Sequence, residues 1–110
     1  MHLRDLPAGE LPRERLIARG AASLSDAELL AILLRTGRAG ENVLDLARGI
    51  VARFKDAGLA EILRMPCAEF ARIPGIGTAK AATVLAALEL GRRAQEGVQG
   101  MPRIAEAKDA

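Results

Sequence analysis

The sequence predicts an all-α fold, a compact bundle of five to six short helices. Three observations carry this reading. Ala, Leu, Arg and Glu dominate, and apolar residues recur at helical spacing with few alternating runs that would suit a strand. Ser25 followed by Glu28 is a capping box ahead of an apolar run. Two loops with paired glycines, Gly37/Gly40 and Gly75/Gly77, each separate two such runs. At 110 residues, 50% of them hydrophobic, the chain is the size of one ordinary domain and can bury a core without staples.

Residues 1–11 hold Pro7 and Gly9 and read as an extended lead-in. Pro12 suits the first turn of a short helix ending near Gly20, with Leu16 and Ile17 as its apolar side. Ser25 opens the next helix, which stops before Gly37. Its Ala27, Leu29, Leu30, Ile32, Leu33 and Leu34 leave so little polar surface that it belongs in the middle of the domain. Asn42 caps a third helix, where Val43, Leu46, Ala47, Ile50, Val51 and Phe54 keep helical spacing and Arg48 and Arg53 fall on the other side. Gly58 separates it from a short helix over 59–65, closed by Pro66. A last pair follows, 68–73 and then a long Ala-rich helix over about 78–95, with Cys67 expected, partly buried, at the start of the shorter one. The helical domain thus covers 12–96, and the polar, weakly patterned residues 97–110 read as a linker or tail.

Composition excludes several classes. Cys67 stands alone, so no internal disulfide forms and a reducing cytoplasm is the expected home. His2 is the one histidine, whereas a zinc site of His and Cys ligands needs about four such groups. No cofactor is expected. No apolar run approaches the roughly 20 residues of a membrane span, and the first residues do not form a signal peptide. Phe54 and Phe70 are the whole aromatic supply, which argues against a partner recognised by stacking bases on rings.

The net charge of +2 is modest, but it is unevenly spread. No acidic residue lies between Glu69 and Glu89, while Arg72 and Lys80 fall inside that stretch and Arg92 and Arg93 follow it. From Arg35 to Lys55, Arg35, Arg38, Arg48, Arg53 and Lys55 face only Glu41 and Asp45. Such stretches are either faces that meet something anionic or ordinary solvated charge.

The most informative segment joins the last two helices through Ile73-Pro74-Gly75-Ile76-Gly77-Thr78. Gly75 and Gly77 permit positive φ and close backbone approach, and Ile76 between them can pin the turn to the core. The helix that follows starts with free N–H groups and the positive end of its dipole. Thr78 can cap that helix or donate to a phosphate, and Lys80 adds a full charge one turn in. Gly75, Ile76, Gly77, Thr78 and Lys80 are therefore the candidate phosphate-binding residues, the plain alternative being a turn that merely needs glycine. The loop from Leu33 to Val43 reads as a looser second copy. There Thr36, Arg38 and Gly40, with Arg72 beside the first hairpin, are possible secondary contacts, and Glu41 would repel a phosphate.

The Ile73–Ala82 segment resembles the helix-hairpin-helix motif: Ile73 before the hairpin, the two glycines, and small Ala81 and Ala82 where the helices cross. The resemblance implies a grip on the sugar–phosphate backbone of DNA, chiefly through main-chain N–H groups and without base reading. Two such hairpins about a pseudo-twofold would suit the two strands of a duplex. Some proteins with this motif are DNA glycosylases, but the lysine position two residues after the second glycine is Ala79 here, and the next Asp after Lys80 is Asp109. The expectation is therefore binding without catalysis.

Over roughly residues 3–95 the chain resembles the N-terminal part of the bacterial RadC family. The matching strings are Leu6-Pro7 with Pro12-Arg13-Glu14-Arg15-Leu16; Leu24-Ser25-Asp26-Ala27-Glu28-Leu29-Leu30 through Arg35-Thr36-Gly37; Val43-Leu44-Asp45-Leu46-Ala47; the Gly75/Gly77 hairpin; and Leu85 through Arg93. Members of that family usually continue into a C-terminal domain of the JAMM metalloprotease-like type, whose His-x-His zinc pattern this sequence lacks. The expectation is an N-terminal module, excised or a truncated paralogue. It would bind duplex or branched DNA non-sequence-specifically in a DNA repair-associated protein, with no membrane partner. The alternative is an interaction module that docks a JAMM-like domain or a DNA-processing protein.

Overall fold

A computed structural model describes residues 11–38 and 40–100. The helices are α1 (Pro12–Arg19), α2 (Asp26–Leu34), α3 (Val43–Arg53), α4 (Ala60–Arg64), α5 (Cys67–Ala71) and α6 (Gly77–Gly100), with a 3-10 turn at Ala21–Ser23 after α1. No strand occurs among the described residues, so the chain is all-α. The lead-in over 1–10 and the tail over 101–110 lie outside the described residues.

Local chemistry explains most boundaries. Pro12 occupies the first turn of α1, where its missing N–H costs nothing, and Gly20 at φ +90° ends the helix with its N–H on Leu16 O. The capping box forms as the sequence requires: Glu28 N–H donates to Ser25 Oγ at 3.2 Å and Ser25 N–H to Glu28 Oε1 at 2.8 Å. Glu28 also pairs with Arg15, tying α1 to α2, and Arg15 donates to Ser23 O at 3.2 Å. Asn42 Oδ1 accepts from Asp45 N–H at 2.8 Å to cap α3.

The core is one cluster in which α2, α3 and α6 meet. Leu30, Ala31 and Leu34 face Val43, Leu46, Ala47 and Ile50, and Ile62, Phe70, Ile76, Ala81 and Val84 close the other side. Phe54 packs obliquely on Phe70, with ring centroids 6.4 Å apart. α2 is indeed the central helix, touching α1, α3 and α6.

Three expectations are corrected. Cys67 does open α5, but it is exposed: the five-residue helix buries Phe70 alone and leaves its first turn in solvent. Of the two small residues expected at the helix crossing, Ala81 is fully buried while Ala82, a third of a turn round, faces outward. Finally, α6 runs on to Gly100, so residues 97–100 are helical where a linker was expected.

Candidate nucleic-acid interface

The connection between α5 and α6 is a tight turn. Ile76 N–H donates to Ile73 O at 3.0 Å, with Pro74 and then Gly75 at φ +94° between them. Proline followed by a positive-φ glycine is the pattern of a type II turn. Ile76 is 4% exposed and anchors the turn in the core, and Gly77 at φ +70° leads into α6. The two glycines serve different purposes. A Cβ on Gly75 would lie 2.9 Å from Leu46 Cδ1 and 3.6 Å from Arg38 Cδ, whereas one on Gly77 would meet open space. Gly75 is thus needed for both conformation and close approach, Gly77 for conformation alone.

Thr78 is exposed on the first turn of α6, where the leading N–H groups have no intrahelical acceptors. Lys80, by contrast, is already hydrogen-bonded across the fold. Its Nζ donates to Leu34 O, at the end of α2, at 2.7 Å and to Thr36 Oγ1, in the α2–α3 loop, at 2.9 Å.

That loop turns sharply at Arg35, the one described non-glycine residue with positive φ (φ 71°, ψ −46°). Thr36 N–H reaches back to Leu34 O at 2.8 Å, closing a γ-turn of the strained, positive-φ hand. Gly37 is required by contact, since a Cβ there would collide with Glu41 O. Gly40 at φ +80° is exposed, and a Cβ there would meet open space. Arg38 is half engaged. Its Nε lies 3.2 Å from Glu41 Oε1, but that buried oxygen receives no hydrogen bond, so the pair is close without being aligned.

Two clefts flank Pro74, of about 430 Å³ and 190 Å³. Arg72 lines the larger and Arg38 the smaller, and Arg53 reaches both. Arg53 and Arg72 make no ion pair among the described residues. Carboxylates are interspersed, Glu61 and Glu69 in one cleft and Glu41 and Asp45 in the other. Helical spacing alone puts Arg53 on the side of α3 opposite its apolar residues. Its spacing from Leu46 and Gly49 (i, i+3, i+7) is the signal that places it on the stripe the hairpin meets.

The structure therefore brings Gly75, Ile76, Gly77 and Thr78 together at one tip, with Arg72 and Arg38 on either side. It joins Thr36 to Lys80, and leaves the space beside Gly40 open. Arg92 and Arg93 do not extend the basic face as free charges. Arg92 bonds Glu89 and Glu96 at 2.9–3.2 Å, and Arg93 bonds Glu89 at 2.8 Å. Among the described residues no three of His, Cys, Asp or Glu gather as metal ligands, and no helix is long and apolar enough to cross a membrane.

Comparison with known proteins gives one family. The UPF0758 N-terminal family matches residues 3–82. The UPF0758 protein of Shewanella sp. (strain W3-18-1) is 51% identical over 100 residues, covering 90% of this chain and 44% of the relative. That of Thioalkalivibrio sulfidiphilus (strain HL-EbGR7) is 53% identical over 93 residues, 84% of this chain and 41% of the relative. The chain thus spans less than half the length of these curated relatives. No solved structure matches.

Proposed function

The chain belongs to the UPF0758 N-terminal family, the RadC-related N-terminal region, and on that premise we propose that it is a DNA-binding module that grips the phosphate backbone without reading sequence. The observation that supports the reading is the hairpin itself, which resembles a helix-hairpin-helix motif. Gly75 and Gly77 take left-handed φ on either side of a buried Ile76 and deliver the start of α6 to the surface beside Thr78. Two phosphate oxygens of one strand would be held by main-chain N–H groups and the Thr78 hydroxyl, with the helix dipole favouring the negative charge. Arg72 and Arg53, which make no ion pair among the described residues, and Arg38 near Gly75 would supply flanking charge. Binding rather than chemistry is the role proposed, within a DNA repair-associated protein, and duplex or branched DNA is the ligand.

With so few contacts and no stacking residues, affinity should be micromolar or weaker, as for non-specific binding at physiological salt (about 10⁻⁴–10⁻⁶ M). Fluorescence anisotropy with labelled duplex, forked and single-stranded DNA across a salt series tests this. Neutralising two to four phosphates gives a log–log slope of roughly −2 to −4. The informative variant is Thr78→Glu. A carboxylate on the first turn stabilises a helix and should leave the fold intact while repelling phosphate.

A second reading is favoured by exposed apolar residues on α6, where Leu90 and Val98 are 67% and 62% exposed. On that reading the domain docks a protein surface, such as a JAMM-like domain or a DNA-processing partner. Wild-type protein that binds no DNA at low salt would leave docking as the better account.

A further inference from the structure

Lys80 is the candidate phosphate ligand whose geometry departs furthest from that role. It stands on the first turns of α6, yet the acceptors of its ammonium lie at the end of α2 and in the loop after it, 46 and 44 residues earlier in the chain. Leu34 O is one of the last carbonyls of α2, which have no intrahelical donor and carry the negative end of the helix dipole. The same oxygen closes the γ-turn at Arg35 by accepting from Thr36 N–H. Of the three protons on the ammonium, two are thereby committed to the end of α2 and the loop after it. A cation held this way spends its field on a helix C-terminus rather than on an outer anion.

A second contact links the same two segments. Gly75 packs close to Leu46 on α3, and a Cβ added to it would lie 3.6 Å from Arg38 Cδ, so the hairpin tip and the loop that carries Arg38 are close neighbours. The polar link through Lys80 and the apolar one through Gly75 together fix the two loops relative to each other.

We propose that Lys80 is a positioning residue. Its bonds to Leu34 O and Thr36 Oγ1 lock the α2–α3 loop to the α5–α6 hairpin, so that Arg38 and the hairpin N–H groups meet one phosphate backbone as a single surface. This rests on the DNA-backbone reading above.

The test is a double-mutant cycle read by binding. Lys80→Met, Thr36→Val and the double variant are titrated with labelled duplex across one salt series, after circular dichroism establishes folding. Thr36→Val removes no charge. If Lys80 positions, each single substitution weakens binding about tenfold, the loss of one charge-assisted bond. The double variant is then no weaker than either single, and the salt slope of Lys80→Met falls no further than that of Thr36→Val. If Lys80 instead touches phosphate, Lys80→Met lowers the slope by about one, while Thr36→Val frees the ammonium and leaves binding unchanged or tighter. That result overturns the proposal, as does folded Lys80→Met and Thr36→Val protein binding like wild type. Should Lys80→Met not fold, Thr36→Val alone decides, by weakening binding or by failing to. Wild-type protein that binds no duplex defeats the DNA reading itself, an outcome separate from all of these.

Discussion

Gly75 rests directly on Leu46, so closely that a single methyl group between them would lie 2.9 Å from Leu46 Cδ1. Leu46 is itself buried, 6% exposed, and can yield only into the core. Substitution of Gly75 by Ala therefore combines a left-handed φ with overpacking and should cost about 2–4 kcal/mol. Gly77→Ala meets open space and incurs only the conformational cost, about 1–2 kcal/mol. Urea denaturation of the two variants side by side reads the difference, and equal losses would refute the role assigned to the Leu46 contact.

Arg35 offers the opposite case. Its φ of 71° is unfavourable for a residue with a Cβ, and its side chain is exposed and makes no ion pair among the described residues. Arg35→Gly should raise stability by up to about 1 kcal/mol, relief of strain outweighing the added freedom of the unfolded chain. A shift of the urea midpoint to higher concentration at unchanged slope is the expected record.

The α2 cap gives a pH signature. Glu28 is held below its ordinary carboxyl range first by the hydrogen bond from Ser25 N–H, then by the Ser25 hydroxyl and Arg15, against the opposing effect of burial. A carboxyl with a depressed folded-state value contributes stability above its unfolded value, here 4.5, and loses it as pH falls through the lower folded one. Stability of wild type should accordingly fall from about pH 5 downward, less so in Glu28→Gln. At neutral pH, Ser25→Ala should cost about 1 kcal/mol. Thermal melts between pH 7 and pH 2 check both statements.

On α6, Glu89 lies lower still, at about 2, through hydrogen bonds from Arg92 and then Arg93. Carbon-detected titration of its carboxyl should show it still ionised well below its ordinary value of 4.5.

Phe70 is the largest fully buried side chain, and it joins α5 to the rest of the core. Phe70→Ala should cost about 3–5 kcal/mol. Against a total of about 5–15 kcal/mol for a small domain, this brings the protein close to unfolding at ordinary temperature. The melting temperature measures it.

What could be read from the sequence was local. Pro12, the Ser25/Glu28 pair and Asn42 act on groups within four residues of themselves, so helix starts followed from neighbours alone. The paired glycines announced the two loops for the same reason. The aim of Lys80 was not legible, because its acceptors are more than forty residues away and only packing of α6 against α2 brings them near. Nor was the turn at Arg35, where an arginine takes a conformation that favours glycine. The overrun of α6 was hidden by Gly97 and Gly100, weak helix formers. The structure carries the helix through them behind the Glu89–Arg92–Glu96 bonds.

That overrun makes α6 a pointer as well as a packing element. Among the described side chains its last buried one is Val84, and from Leu90 to Val98 every residue is exposed. The outer stretch is a shaft braced by its own ion pairs. Each residue in such a shaft adds about 1.5 Å of reach and about 100° of rotation. The length of α6 therefore sets the heading at which the chain leaves Gly100 relative to the hairpin at the other end. One residue inserted after Gly91 would swing that heading by about 100° and leave every core contact in place.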